Sequence, residues 1–137
     1  MERQAFRELA NLRLKEAQVL LRAGCWAGAY YLAGYAVECA LKACIAKRTE
    51  RSEFPDKERV KDSYTHKLTQ LLTVADLVRP LREAERSDRQ LASNWAFETK
   101  WSEESRYERP SEADAKEILN AVREPRHGVL PWLKKHW

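Results

Sequence analysis

The stretch that decides the fold is WAGAYYLAGYAVECALKACIAK, residues 26–47. It has the length of a long helix and is apolar on most sides. Its small residues leave room for neighbouring helices to approach the backbone closely. These residues are Gly28, Ala33, Gly34, Ala36 and Ala40. We therefore expect this helix to lie at the centre of the fold or of a dimer.

The same stretch resembles a membrane span in length, but Glu38 and Lys42 lie inside it. A charged side chain near the middle of a bilayer costs roughly 3 kcal/mol. The first residues, MERQAFRELANLRLKEAQ, are charged throughout and lack the apolar stretch and cleavage site of a secretory signal. These features predict a buried helix in a cytoplasmic protein with no membrane association.

Size and composition predict one domain over residues 1–137, with 44% hydrophobic and 34% charged residues. The net charge of +4 is spread along the chain, which permits an RNA partner without requiring one. The cysteines, Cys25, Cys39 and Cys44, form no C-x-x-C pair and have no histidine at metal-ligand spacing. We expect no disulfide, no metal and no cofactor.

Helical periodicity recurs through the chain, and no useful length shows the alternation of a strand. The predicted helices cover residues 2–23, 26–47, 66–79, 81–101 and 111–122. Gly24 ends the first, Thr65 caps the third, Pro80 ends the third, and Ser111 with Asp114 forms a capping box for the fifth. The fold class is therefore all-α, a four-to-five-helix up-and-down bundle without a sheet.

The segments between the helices are also interpretable. Residues 49–63 are polar and contain a proline, which is typical of an exposed connector, and residues 102–110 resemble a loop or a frayed helical end. The last segment, VLPWLKKHW at residues 129–137, has apolar residues at helical spacing and should pack against the bundle.

Glu38 is the most informative single residue. A carboxylate among apolar neighbours cannot remain charged and unpaired in a core, so it needs a cationic partner. Lys42, one turn further along, is one candidate, and an arginine or histidine from another helix is the other. Tyr31, Tyr35, Glu38 and Lys42 fall on one line of the helix. That line is either a functional cleft or a polar seam between packed helices or subunits.

Two further positions carry candidate chemistry. His66, at the start of a predicted helix, is either a proton-transfer group or a structural residue. Arg106 and Tyr107, with Trp101 five residues before the arginine, are suited to gripping a phosphate and stacking on a base. In the alternative interpretation, Trp101 belongs to the core and Arg106 is the counter-ion of Glu38.

The familiar catalytic signatures are absent from the sequence. It contains no Gly-rich phosphate loop, no nucleophile elbow and no Ser-His-Asp order. His127 and His136 have no partner at a catalytic or metal-ligand spacing, and we expect them to be surface or packing residues.

Four segments together resemble a HEPN domain. They are AYYLAGYAVECALKACIAK (29–47), THKLTQLL (65–72), W-x4-RY (101–107) and GVLPWLKKHW (128–137). The resemblance implies a bundle of four or five helices that commonly dimerises. It also implies a place in prokaryotic defence and toxin-antitoxin systems, often beside a minimal nucleotidyltransferase. Many such proteins are metal-independent ribonucleases, and others bind nucleotides or RNA.

The ribonuclease members use an arginine followed by a polar residue, with a histidine four to six residues beyond it. Such a pair lets the arginine stabilise phosphate charge while the histidine moves the proton of a 2′-hydroxyl. Here Arg59 precedes His66 with six residues between them, but Val60 follows the arginine, and no histidine follows Arg106 until His127. The ribonuclease motif is therefore absent from the later region around Arg106, where the resemblance leads us to expect it.

These observations favour a HEPN-like module that binds a nucleotide, RNA or partner protein at a helical cleft of a homodimer. The candidate ligand-binding residues are Tyr31, Tyr35, Glu38, Lys42, Trp101 and Tyr107, and the candidate catalytic residues are His66 and Arg106. One alternative is a ribonuclease toxin that uses His66 with Arg106 or Arg59. The other is a structural dimerisation partner in which Glu38 and Arg106 form a buried ion pair. A minimal nucleotidyltransferase is the expected protein partner.

Overall fold

The computed structural model describes residues 2–51 and 57–137, with residues 58 and 59 described by their backbone only. These ranges contain eight α-helices, one 3₁₀ helix and no strand, which confirms the all-α prediction. The helices are α1 (Arg3–Arg22), α2 (Trp26–Glu50), α3 (Lys57–Asp62), α4 (Leu68–Val74), α5 (Val78–Ser87), α6 (Arg89–Glu98), α7 (Glu112–Arg123) and α8 (Val129–Lys134). The 3₁₀ helix covers Glu103–Tyr107.

Helix α2 lies at the centre of the bundle, as its sequence predicts. It contacts α1, α4, α7, α8 and the 3₁₀ helix. Its buried side chains are distributed around the whole circumference because it has neighbours on most sides. Gly34 allows the closest approach: a Cβ atom there would lie 2.3 Å from atoms of the Trp101 indole. The indole therefore packs directly against the α2 backbone.

Two of the predicted helix ends, at Gly24 and at Ser111, are confirmed. Gly24 follows α1 with a φ of +80°, a conformation that glycine adopts without steric cost. Ser111 and Asp114 form both hydrogen bonds of the capping box at α7. The prediction that Thr65 caps the third helix is wrong, because the N-cap of α4 is Lys67 and α4 begins at Leu68. The Thr65 hydroxyl accepts a hydrogen bond from the backbone N–H of Lys67 at 3.2 Å, outside the helix.

The predicted helix over residues 81–101 is wrong, because α5 and α6 replace it. The break is at Asp88, whose side chain accepts the Leu91 N–H at 3.0 Å and caps α6. Pro80 does not end a helix; it lies in the first turn of α5, where a missing N–H costs nothing. The preceding helix ends instead before Asp76, which has a φ of +59°.

The structure of residues 49–63 differs in part from the exposed connector that the sequence predicts. Helix α2 continues to Glu50, and α3 forms within the predicted connector. Residues 52–56, including the proline on which the prediction depended, lie outside the described residues. The predicted loop at 102–110 contains the 3₁₀ helix.

The C-terminal segment packs down as predicted. Trp137 is buried, its backbone oxygen accepts a hydrogen bond from Arg3 at 2.6 Å, and the Arg7 guanidinium lies 5.2 Å from its ring centroid. The first and last turns of the chain are thereby joined. Within the described ranges, no helix combines the length and the apolarity that crossing a bilayer requires.

Candidate functional site

The carboxylate of Glu38 is buried and contacts the side chains of one lysine and one histidine. Its side chain is 2% exposed, Lys42 Nζ lies 3.3 Å from Oε2, and His66 Nδ1 lies 3.1 Å from the same oxygen. Both kinds of partner considered from the sequence are therefore present. Leaving such a carboxylate unpaired would cost several kcal/mol, so these contacts are a condition for its burial.

His66 joins Glu38 to a second carboxylate. Its Nε2 lies 3.3 Å from Glu103 Oε2, in the 3₁₀ helix. A neutral imidazole has one N–H and can donate to one of the two carboxylates, whereas an imidazolium donates to both. His66 therefore links α2, the segment before α4 and the 3₁₀ helix. Sequence reasoning missed Glu103, because it lies in a polar segment where no spacing distinguishes it from its acidic neighbour Glu104.

An aromatic stack extends along α2 beside this network. The ring centroids of Tyr31 and Tyr35 are 6.0 Å apart, and those of Tyr31 and Trp101 are 5.9 Å apart with an interplanar angle of 29°. Burial raises the pKa of Tyr35. Trp101 is buried, which confirms the interpretation that it belongs to the core. Tyr31 and Tyr35 are half-buried.

Arg106 is exposed at the edge of this stack. Its guanidinium lies 4.9 Å from the ring centroid of Tyr107, and that tyrosine is 76% exposed. Its contact with Tyr107, and secondarily with Tyr31, raises the pKa of Arg106. The expected ion pair between Arg106 and Glu38 is absent from the described residues, where the partners of Glu38 are Lys42 and His66. The counter-ion interpretation of Arg106 is therefore wrong.

We use the name Glu38–His66 site for the surface formed by these groups. Its members are Tyr31, Tyr35, Glu38, Lys42, Trp101, Glu103, His66, Arg106 and Tyr107. The site combines a neutralised buried carboxylate with an exposed guanidinium and exposed aromatic surface. Such a set can hold a phosphate and stack on a base. The side chain of Arg59, the other arginine considered with His66, lies outside the described residues.

A second histidine–carboxylate pair lies elsewhere in the bundle. His127 Nδ1 lies 2.8 Å from Asp88 Oδ2, and this hydrogen bond lowers the pKa of Asp88. No sequence spacing indicates this pair, because Asp88 is 39 positions away and reaches His127 only through packing of the α5–α6 corner. His136 packs against the Trp132 ring at 4.5 Å, as expected for a packing residue, and burial lowers its pKa.

Two of the three cysteines have the character of core residues, whereas Cys25 is exposed. Cys39 and Cys44 are buried free thiols, and burial raises the pKa of each to about 12. Both therefore remain protonated at neutral pH. Across residues 2–51 and 57–137, no three side chains of His, Cys, Asp or Glu are placed to hold a metal ion.

Comparison with protein families agrees with this architecture. The family model described as HEPN domain matches residues 4–129, and the chain belongs to the HEPN domain family. Membership of this family indicates a module whose function is related to nucleotides or RNA, or a ribonuclease-type module. Among curated proteins and solved structures, none matches the chain.

Proposed function

We propose that this chain is a non-catalytic HEPN module that binds the phosphate of a nucleotide or of an RNA strand at the Glu38–His66 site. The observation that carries the proposal is the exposed Arg106 guanidinium beside the exposed Tyr107 ring. Within the described part of the chain, no carboxylate lies within 4.0 Å of that guanidinium. Within those residues its positive charge is therefore not neutralised by a carboxylate, which favours an anion from solution.

The contacts of the other residues at the site also favour phosphate binding by Arg106. Lys42 and His66 are engaged by carboxylates, so they contribute little net attraction for an anion. Arg106 supplies the phosphate contact, since a guanidinium matches phosphate oxygens in a bidentate geometry. Tyr107, Tyr31 and Tyr35 supply ring surface on which a base can stack.

The ribonuclease alternative receives less support from the same geometry. A general base needs a free ring nitrogen within reach of the 2′-hydroxyl. Both ring nitrogens of His66 face carboxylates, Nδ1 facing Glu38 and Nε2 facing Glu103. Catalysis by His66 would therefore require the Glu103 contact to open first. Binding without cleavage requires no such rearrangement.

We further propose that the module acts as a homodimer with a minimal nucleotidyltransferase as its protein partner, in a toxin-antitoxin or defence setting. Leu12 and Val19 support a dimer surface on α1, because both are exposed and lie two helical turns apart on one face. Light scattering coupled to size-exclusion chromatography would measure the mass. A monomer at all concentrations would contradict the dimer.

Fluorescence anisotropy with a fluorescein-labelled ten-nucleotide oligoadenylate, and competition by ATP, would test the binding proposal. Replacing Arg106 with Ala should weaken binding at least about tenfold, because a charge-assisted hydrogen bond contributes roughly 1.5–3 kcal/mol. Arg79→Ala is the matched control, since Arg79 is an exposed arginine on α5 outside the site. Equal affinities of the wild type and Arg106→Ala would overturn the proposal.

Cleavage assays in EDTA would separate the alternatives. Under the binding proposal the wild type leaves the oligoadenylate and a mixed-sequence RNA intact. Metal-independent cleavage that is lost in His66→Ala would favour the ribonuclease. The structural alternative predicts no binding by the wild type and a loss of stability alone when Glu38 is replaced.

A further inference from the structure

Glu103 gives the Glu38–His66 site a carboxylate that a ligand can reach. Its side chain is 42% exposed, and one of its oxygens, Oε2, lies 3.3 Å from His66 Nε2. An ionised carboxylate has two oxygens with about four acceptor positions, so contact with one imidazole leaves acceptor capacity for a ligand. Glu38 cannot act in this way, because its side chain is 2% exposed.

Arg106 lies on the same side of the 3₁₀ helix as Glu103. A 3₁₀ helix has about three residues per turn, so side chains three positions apart lie one above the other. Both residues belong to this helix and are three positions apart. Glu104 follows Glu103 directly and is rotated from it by about a third of a turn. The helix therefore presents one cation and one carboxylate on a single side.

These two groups reach α2 at positions that one nucleotide can span. Arg106 contacts Tyr31, and Glu103 is linked to Glu38 through the imidazole between them. Tyr31 and Glu38 are two turns apart on one side of α2, which corresponds to roughly 10 Å at 1.5 Å per residue. Tyr35 lies between them along the helix, and its ring stacks with that of Tyr31. The span is about the length of a nucleotide, with an aromatic ring between its two ends.

A carboxylate distinguishes the bases by the donors on their Watson–Crick edges. Guanine carries two adjacent donors, N1–H and the 2-amino group, which can bond to both oxygens of one carboxylate. Adenine and cytosine each present one amino group beside a ring-nitrogen lone pair, and uracil presents one N–H between two carbonyl oxygens. Those lone pairs repel a carboxylate, and two bonds to a charged acceptor are stronger than one. The acceptor at Glu103 therefore favours guanine.

We propose that the Glu38–His66 site prefers a guanine nucleotide, with its phosphate on Arg106 and the N1–H and 2-amino groups of its base on the Glu103 carboxylate. This proposal rests on the proposed phosphate-binding function and adds the identity of the base. The nucleotide is either free or part of an RNA strand, and both sources offer the same chemistry to the site.

NMR titrations of the full chain with GMP, IMP and AMP, followed in two-dimensional ¹H–¹⁵N spectra, test the base preference. GMP should bind at least about tenfold more tightly than AMP, since a good bidentate pair discriminates between bases by about this factor. IMP keeps N1–H and lacks the 2-amino group, so its affinity should lie between those of GMP and AMP.

Fluorescence anisotropy separates the two sources of the nucleotide. The probes are the labelled ten-nucleotide oligoadenylate and the same strand with one central guanine. If the ligand is RNA, the guanine-containing strand should bind more tightly than both the oligoadenylate and GMP. If the ligand is a free nucleotide, GMP should bind at least as tightly as the guanine-containing strand. Either result, together with the preference for GMP over AMP, supports the proposal.

Glu103→Gln separates base recognition from a structural role. The variant should lose most of the preference for GMP and keep its affinity for AMP, because Arg106 still binds the phosphate. A purely structural role would lower both affinities together, which would contradict the proposal. Glu104→Gln, at the exposed neighbouring carboxylate of the same helix, is the matched control and should keep the wild-type ratio.

The failure of this proposal differs from that of the phosphate-binding function. Equal affinities of the wild type for GMP and AMP would overturn the guanine preference, and so would a preference that Glu103→Gln retains. If Arg106→Ala still weakens binding of both nucleotides, the phosphate-binding function stands. Binding of GMP that Arg106→Ala leaves unchanged would overturn the phosphate contact, and no binding of any of the three nucleotides would overturn both proposals.

Discussion

His66 Nδ1 lies 3.1 Å from Glu38 Oε2, although 28 positions separate the two residues in the chain. The carboxylate belongs to the central helix and is 2% exposed, whereas the imidazole is 44% exposed. The pair therefore connects the interior of the bundle to its surface. Any ligand that displaces His66 would change the partners of a buried charge.

Removing Glu38 should destabilise the fold by several kcal/mol. Glu38→Ala leaves Lys42, whose side chain is 15% exposed, without its carboxylate, and breaking a buried pair costs about 3–5 kcal/mol. Glu38→Gln should cost less, because the amide oxygen still accepts a hydrogen bond. Urea unfolding followed by circular dichroism measures both. Glu103→Gln, at the other ring nitrogen, is the half-buried control and should cost less than about 1 kcal/mol. Wild-type stability in Glu38→Ala would contradict the prediction.

The two glycines inside α2 should respond oppositely to alanine. A Cβ at Gly34 would lie 2.3 Å from the Trp101 indole, so Gly34→Ala should cost about 1–3 kcal/mol by overpacking. A Cβ at Gly28 would meet only the mobile tip of Leu20 at 2.9 Å. Gly28→Ala should be neutral or stabilising by up to about 1 kcal/mol, through helix propensity. Urea midpoints and near-ultraviolet circular dichroism of the tryptophans test this, and equal effects would refute it.

Glu98 should make the protein less stable as pH rises. It is fully buried, and its carboxyl oxygens have no hydrogen-bond partner among the described residues. Burial raises its pKa well above 4.5, so the folded state keeps a proton that the unfolded chain releases. The free energy of unfolding therefore falls as pH rises from about 5 toward the raised pKa.

Glu98→Gln removes this titration, so its stability relative to the wild type should increase between about pH 5 and pH 8. Urea unfolding at several pH values measures the difference. Glu104→Gln, at an exposed carboxylate of the 3₁₀ helix, should run parallel to the wild type. If the free energy of unfolding of Glu98→Gln changed with pH in parallel with that of the wild type, Glu98 would be ionised in the folded protein.

Asp88 should contribute stability that disappears in acid. Its pKa is lowered, chiefly by the hydrogen bond from His127, so its contribution is present above the ordinary value of 3.8 and is lost as pH falls through the lowered value. Asp88→Asn keeps the cap acceptor for Leu91 but loses the charge. Its unfolding free energy should depend less on pH below about 4. Asp88→Ala also loses the cap, which adds about 1 kcal/mol.

Urea unfolding at pH 3–7 measures these effects. His127→Gln supplies the complementary control. If Asp88 stabilises the fold through its hydrogen bond with His127, adding His127→Gln to the Asp88→Asn variant should produce little further loss in the free energy of unfolding. Additive effects of the two substitutions would show that they act independently.

Local features were readily predicted. Residues 26–47 were expected to form a central helix and lie within Trp26–Glu50, and the capping box at Ser111 is present. The break at Asp88 was missed, because the helical periodicity on either side of it continues across the cap. Pro80 was misread, because a proline that ends one helix and a proline in the first turn of the next look alike in sequence.

Local sequence patterns are enough to establish that this protein is helical, that α2 is its core and that Glu38 needs a cationic partner, because apolar periodicity and the cost of a buried charge act locally along the chain. Packing of the helices brings Lys42 and His66 to Glu38, leaves Arg106 in solvent, and places Glu103 and Asp88 each against a histidine. Side chains from different helices meet according to the angles and registers at which those helices pack. These depend on the whole core at once, and no local pattern encodes them.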